Sequence, residues 1–394
     1  MSFSNIAKKL ALNQYPQEWD NWYDNTKSHE DTGLSLSALQ DLQNRYSLFG
    51  TYYQDVVAGF EDLRRDALRS AWVYVACKHY MEHDMESCSK IPVPITDGTP
   101  AGDMAALFPL IVSVEDNIQS YYRRGFSDVE VNTYLDAYRG SIRATCSQTG
   151  RPGINPLYYR WTLYFAKAQM FPVGCFNFQI ARVPNNVSVL QNVDTGKLII
   201  ALDQFLFHAN GMPVDTNEDP NEPGNYNLRF DETDEDFLVH PIIDYRVQQE
   251  RVAYSKKLWK KVIAPGDVVY SVHIPRGAVL TSENIEQSYI LAQEIAWRAY
   301  PEYKIKGLYC SSWLLDPQLQ QMLSEGSRIN TFATGFTRYP VKSGTNQVFS
   351  TVFPNKPQDL SNLPEETSLQ RKIKALYLSG GSIRCYDGFI LYKS

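Results

Sequence analysis

Apolar residues fall three and four positions apart through "LSALQDLQNRYSLFGTYYQDVVAGFEDL" and "RRDALRSAWVYVACKHYMEH", a helical period that predicts helices from Ser35 to about Ser87. The loop "KIPVPITDGTPAG", with three prolines and two glycines, ends that run, and "DMAALFPLIVSVEDNIQSYYRRG" and "SDVEVNTYLDAYRGSIRATC" then resume the helical spacing. Ser127 and Glu130 form a capping-box pattern at the start of the last of these. Glycine, proline and asparagine gather in "SQTGRPGINP", residues 147–156, and one more helix, "LYYRWTLYFAKAQMF", leads across that boundary. The period then drops to two. "GCFNFQIARV", "VSVLQNV" and "KLIIALDQFLF" are separated by "PNN" and "DTG" turns, which predicts an antiparallel meander. Alternation follows: strand 267–274, helix 281–300, strand 305–311, helix 316–323, strands between Ile329 and Val341, a helix around 367–379, and a final hairpin turning at Asp387 and Gly388. The expected fold class is α+β, with a helical domain over 1–150 and a mixed, mainly antiparallel sheet flanked by helices over 151–394.

Charge narrows the partners. The formal net charge is −6 and no Lys/Arg cluster stands out, so a nucleic-acid surface is excluded as the main business of the chain. The first residues hold no apolar run of signal-peptide length, and nowhere do about 18 apolar residues run together, so a cytoplasmic protein with no membrane span is expected. Six scattered cysteines without a CxxC pair read as reduced, mostly structural thiols. Acidity is local: "DTNEDPNEPGNYNLRFDETDED", residues 215–236, holds nine carboxylates against one arginine and reads as a solvated, mobile insertion, or alternatively as a lid over a basic substrate.

One histidine stands where chemistry is expected. In "DVVYSVHI", Val269, Ser271 and His273 share one strand face and Val268, Tyr270, Val272 and Ile274 the other. Thr281 is placed as the N-cap of the next helix, with Leu280 and Ile285 as a hydrophobic staple around it. A strand, a short glycine-containing turn and a helix N-terminus together make a generic anion site. His273, with an ordinary pKa of about 6.5, suits a general base, or is a core histidine bonded to backbone or to Ser271. On the neighbouring strand, Tyr309 or Ser311 could protonate a leaving group, while Cys310 reads as a buried thiol. Asp316 and Pro317 open the following helix.

The segments "WKKVIAPGDVVYSVHIPRGAVLTSENIEQSYILAQEI", "LYCSSWLLDPQL" and "LPEETSLQRKIKALYLSGGSI" resemble acyltransferase-domain proteins that join a helical N-terminal region to a C-terminal GNAT-like domain. The resemblance covers most of the chain from about Phe108 onward. It implies a GNAT-like sheet in which strands 267–274 and 305–311 splay apart for the pantetheine arm of an acyl-CoA. It also implies cofactor binding by Ile274, Arg276, Gly277, Ala278, Thr281 and Ser282, and sets His273 at the cleft; His273, Tyr309 and Ser311 are the candidate catalytic residues. The implied reaction is N-acyl transfer from acetyl-CoA or another acyl-CoA to a small amine or peptide-like acceptor. "RGAVLT" departs from the usual glycine spacing of the family's pyrophosphate loop, and the alternative is a non-catalytic GNAT-like protein that binds a ligand or partner.

Finally, "HYMEH", residues 79–83, matches the H-x-x-E-H pattern of certain zinc peptidases, in which two histidines one helical turn apart bind a metal. No third ligand can be assigned from the sequence, so no metal is expected.

Overall fold

The computed structural model describes residues 2–24, 32–275, 277–342, 347–353 and 357–392. The chain divides into two compact units, Met1–Pro172 and Val173–Ser394. No helix among the described residues is long and apolar enough to cross a membrane.

The first unit is helical. Three of its helices matter below: α1 (Glu18–Asp24), α2 (Ala67–Glu82) and α3 (Asp128–Thr149). Asp66 caps α2 by accepting from the Leu68 and Arg69 N–H groups. Trp72, Val75, Ala76, Cys77 and Tyr80 of α2 are all buried, so this helix is apolar on most sides and sits in the core of the unit. The expected capping box forms at α3: the Ser127 hydroxyl accepts from the Glu130 N–H and the Glu130 carboxylate accepts from the Ser127 N–H. Gly150, at φ 74°, ends the helix in the left-handed conformation that glycine adopts without strain.

The second unit carries the sheets. Its strands include β1 (Phe176–Arg182), β2 (Val187–Asn192), β3 (Leu198–Leu202), β4 (Trp259–Ile263), β5 (Val268–His273), β6 (Gly307–Ser312), β7 (Thr337–Pro340) and β8 (Tyr386–Leu391). In the central sheet the order is β1-β5-β6-β8-β7, with β5 and β6 parallel and the other pairs antiparallel. A second sheet, β4-β2-β3, covers one face of it through Val189, Ile200 and Ile263, which join Val269, Tyr339 and Phe389 in one buried cluster. Helix α4 (Ser282–Ala299) buries Ile285, Ala292, Ile295 and Ala296, and its Tyr289 stacks on Phe176 of β1 at 5.5 Å.

Three expectations are corrected. The meander is divided: β1 does not pair with β2 but with β5, so successive strands enter different sheets. Residues Arg328–Thr334 form a helix ahead of β7, because Phe332 and Ala333 bury on one helical side. No hairpin turns at Asp387 and Gly388, since both lie inside the continuous strand β8, paired with β6 and β7. The acidic run is solvated over residues 216–224 and 232–235, as expected, and is tied down at intervals. Asp215 pairs with Arg384 at 2.7 Å, Glu218 with His208 at 2.9 Å and Glu232 with Lys256 at 3.0 Å, while Leu228 and Phe237 are buried. These cations all come from outside the run, where a local reading of charge does not look.

Gly388 is required by packing. A Cβ there would lie 2.8 Å from the Phe336 Cβ and 3.2 Å from the Arg338 Cγ. Gly388→Val is expected to destabilise the protein by about 1–3 kcal/mol, the usual range for overpacking. Urea unfolding checks this, and an unchanged midpoint would show that β8 moves aside.

Candidate active site

The parallel strands β5 and β6 are in register at Tyr270↔Leu308 and Ser271↔Tyr309. Beyond that point each follows its outer neighbour, β5 pairing with β1 as far as His273↔Asn177 and β6 with β8 as far as Ser312↔Tyr386. The two strands therefore part at their C-terminal ends. Their facing backbone groups lose the ladder there, and backbone N–H and C=O groups demand partners wherever water is excluded.

Alternation along the strands sorts the side chains. Tyr270, Val272, Leu308 and Cys310 are buried on one face. The register Ser271↔Tyr309 places Ser271, His273, Tyr309 and Ser311 on the other, together with Gln179, Asp387 and Tyr339 from the outer strands. The three residues assigned to chemistry from the sequence thus share one face across the gap.

His273 is half-buried, and its Nε2 lies 3.0 Å from the Gln179 Oε1. With that oxygen as acceptor, Nε2 carries the proton and donates it. Burial pushes the imidazole pKa from 6.5 down to about 4, so the ring is neutral at neutral pH. Tyr309 donates to the Asp387 Oδ2, and Tyr339 donates to the same oxygen at 3.1 Å. Burial raises the Asp387 carboxyl above its ordinary range against the opposing effect of hydrogen bonds from Ser311, Tyr309 and Tyr339. Burial, and then the charge of Asp387, raise the Tyr309 phenol. Cys310 is fully buried and its thiol is pushed up by burial, which makes it a poor nucleophile.

The turn after β5 spends part of its hydrogen-bonding capacity on itself. Ala278 N–H donates to the Pro275 carbonyl at 3.1 Å and Thr281 N–H to the Val279 carbonyl at 3.0 Å. The Thr281 hydroxyl caps α4 by accepting from the Asn284 N–H at 3.2 Å. Ile274 is half-buried at the end of β5, Gly277 is exposed at φ 86°, and Ser282 opens α4 exposed. Arg276 lies outside the described residues.

Sequence reasoning missed Gln179, Tyr339 and Asp387. The signal for Asp387 was present but misread, since Asp-Gly is the strongest short turn signal and here sits inside a strand. A cleft of about 1010 Å³ opens beyond the ends of β6 and β8. Its lining includes Gln318 after β6, Arg384 and Tyr386 at the start of β8, and His208, Glu218 and Glu222 from the acidic segment and the strand before it. Asp316 anchors this end: one carboxylate oxygen accepts from the Gln318 N–H at 2.8 Å and the other from the Arg384 N–H at 2.6 Å.

Residues 171–390 match the family model of the GNAT-like C-terminal domain. Among solved structures, an acyltransferase in complex with decanoyl-CoA and teicoplanin aligns at 18% identity with a TM-score of 0.66, the alignment covering 100% of both chains. An acyltransferase mutant in complex with octanoyl-CoA aligns at 17% identity with a TM-score of 0.65, again over 100% of both chains. At that identity the likeness establishes the fold. No curated protein matches the sequence.

The depressed His273 pKa has a consequence for stability. Between pH 6.5 and about 4 the unfolded chain takes up a proton at this ring that the folded chain refuses. Stability therefore falls as pH drops through that window. His273→Gln should remove this contribution, so the melting temperature of the variant should decline less than that of the wild type over the same range; parallel declines would show that the ring is not desolvated.

Proposed function

Because the chain belongs to the GNAT-like C-terminal domain family, we propose that it is an acyl-CoA-dependent N-acyltransferase with a peptide-like acceptor. The observation that carries this reading is the parting of β5 and β6 beyond Ser271 and Tyr309, with His273 and the Tyr309–Asp387–Ser311 cluster on one face of the opening.

In this reading the pantetheine arm enters the gap and its amides replace the lost ladder between the two strands. The acceptor ammonium gives a proton to His273, whose Nδ1 bears the lone pair when Nε2–H donates to Gln179. The amine nitrogen attacks the thioester carbonyl, the C–S bond of the tetrahedral adduct breaks, the CoA thiolate takes a proton from the hydroxyl of Tyr309 or Ser311, and the protonated nitrogen of the new amide returns its extra proton to that oxygen. Burial and the Asp387 carboxylate keep the Tyr309 phenol protonated, so its proton is present in the resting site, and the hydroxyl turns from Asp387 toward the sulfur to deliver it. A neutral histidine is ready to accept a proton at neutral pH, although a pKa of about 4 makes it a weak base.

The acceptor class is supported by the size of the cleft. At about 1010 Å³ it lies at the upper end of the roughly 300–1,000 Å³ typical of small-molecule sites, which suits a peptide-like molecule better than a small amine; its lining holds none of His273, Tyr309, Ser311 and Asp387, so it would receive the body of the acceptor rather than its amine. The similar acyltransferases were crystallised with decanoyl-CoA, octanoyl-CoA and teicoplanin, which supports a medium-chain acyl-CoA donor and a glycopeptide-like acceptor. One observation favours a non-catalytic binding protein instead, namely the Ala278 and Thr281 N–H groups already committed within the turn.

Turnover separates the two readings. Octanoyl-CoA or decanoyl-CoA should raise the melting temperature, and with a glycopeptide acceptor the protein should release free CoA thiol. His273→Ala should lower kcat/KM by roughly 10²- to 10⁴-fold, the usual contribution of a general base, with acyl-CoA affinity nearly unchanged. The acid limb of kcat/KM should fall near pH 4 rather than 6.5. A variant that melts early yet turns over normally would remove the base from the mechanism, and binding without any thiol release would leave the binding protein.

A further inference from the structure

The helical unit brings "HYMEH" together with a residue that sequence reading could not find. His79 and His83, one turn apart at the end of α2, stack with ring centroids 4.2 Å apart. Between them and solvent stands Glu18, the first residue of α1. Its Oε1 lies 3.1 Å from the His79 Nδ1 and 2.8 Å from the His83 Nε2. Glu82, which the peptidase pattern would use, instead faces Lys78 at 3.8 Å. We propose that Glu18, His79 and His83 form a binding site for a zinc-class divalent cation.

Three observations support this assignment. The first is separation: the three ligand atoms all lie within 4.8 Å of one another. Zinc bonds of about 2.0–2.2 Å place tetrahedral ligand atoms about 3.3 Å apart, so the two contacts to Glu18 need to open by only a few tenths of an ångström. The second is the tautomer. The His79 Nε2 lies 3.0 Å from the Ser87 hydroxyl, and the Trp19 indole N–H donates to the His79 Nδ1 at 3.3 Å. The Ser87 hydroxyl can accept from Nε2–H, which leaves the single Nδ1 lone pair for the Trp19 N–H or for a cation that displaces it. That arrangement leaves the Nδ1 lone pair facing a carboxylate oxygen at 3.1 Å. With Nδ1 protonated instead, the same contact is an ordinary hydrogen bond to Glu18, and a cation would take the place of that proton. The third is rigidity. The carbonyls that carry the histidines are tied down, His83 O by the Lys167 ammonium at 2.7 Å and His79 O by the Cys88 thiol at 3.8 Å. Trp22 lies against both rings, at 6.1 Å from each.

Access is one-sided. His79 is buried, whereas the side chains of His83 and Glu18 are 31% and 39% exposed. Three protein ligands leave a fourth position toward solvent for water, the pattern of an open rather than a closed zinc site. The cation would join α1 to α2 across 61 residues of sequence. The site stands independently of the acyl-transfer reading.

The test uses the full chain without a histidine tag, stripped with a chelator and dialysed, then titrated with Zn²⁺ against a chromogenic competitor. One equivalent should bind with sub-micromolar affinity and raise the melting temperature, and Co²⁺ should give visible d–d absorption of a low-symmetry, four-coordinate kind. His83→Asn and Glu18→Gln, both at partly exposed positions, should fold as the wild type does and weaken Zn²⁺ binding at least tenfold. Circular dichroism verifies their folding, and Glu18→Asp should recover part of the affinity. Substoichiometric binding by the wild type, or one equivalent bound with equal affinity by both variants, would overturn the assignment.

Discussion

The second unit is organised by a limit on hydrogen bonding between two parallel strands. β5 and β6 share two register pairs and then separate, while each keeps its outer partner to the end. A sheet that forks in this way has unspent backbone groups on both inner edges. In an ordinary edge strand such groups invite aggregation, but here they face each other across a gap inside one sheet rather than lying along its outer edge. The second sheet covers one face of the central sheet through Val189, Ile200 and Ile263, and α4 buries its own apolar side. The gap is thereby left as the place where polar side chains and backbone meet.

The polar cluster follows from the same geometry. Asp387 lies deep in the sheet, where its Oδ2 accepts from Tyr309 and Tyr339 while its Oδ1 is buried without a partner among the described residues. His273 is neutral because it is desolvated, and Gln179 fixes its tautomer. The site is thus a set of wholly or partly buried polar groups whose ionisation is set by burial and by one another rather than by water.

Local signals were legible in the sequence and long-range ones were not. The alternation of "DVVYSVHI", the Thr281 cap and the Ser127–Glu130 box each depend on neighbours within four residues, and those strand and helix bounds fall within a residue or two of where the pattern stops. The shared face of His273, Tyr309 and Ser311 could not be read locally, since no local pattern gives the register of two strands separated by a helix. Asp387–Gly388 has the composition of a turn, and only pairing on both sides keeps it extended. The acidic run needed Arg384 and Lys256, and the histidine pair needed Glu18, all distant in sequence.

The division of the meander between two sheets also sets an order of assembly. β2 and β3 are joined by a short turn and can pair as soon as both exist. β1, made before them, must wait for β5, with Gln179 and His273 94 residues apart. Closing so long a loop costs entropy before any contact rewards it, which slows folding. On a ribosome, β1 would emerge early and keep that edge unpaired while the whole second sheet is synthesised. The unit that ends with a forked sheet therefore begins with a strand in need of shelter, and its yield should depend on how quickly the chain reaches His273.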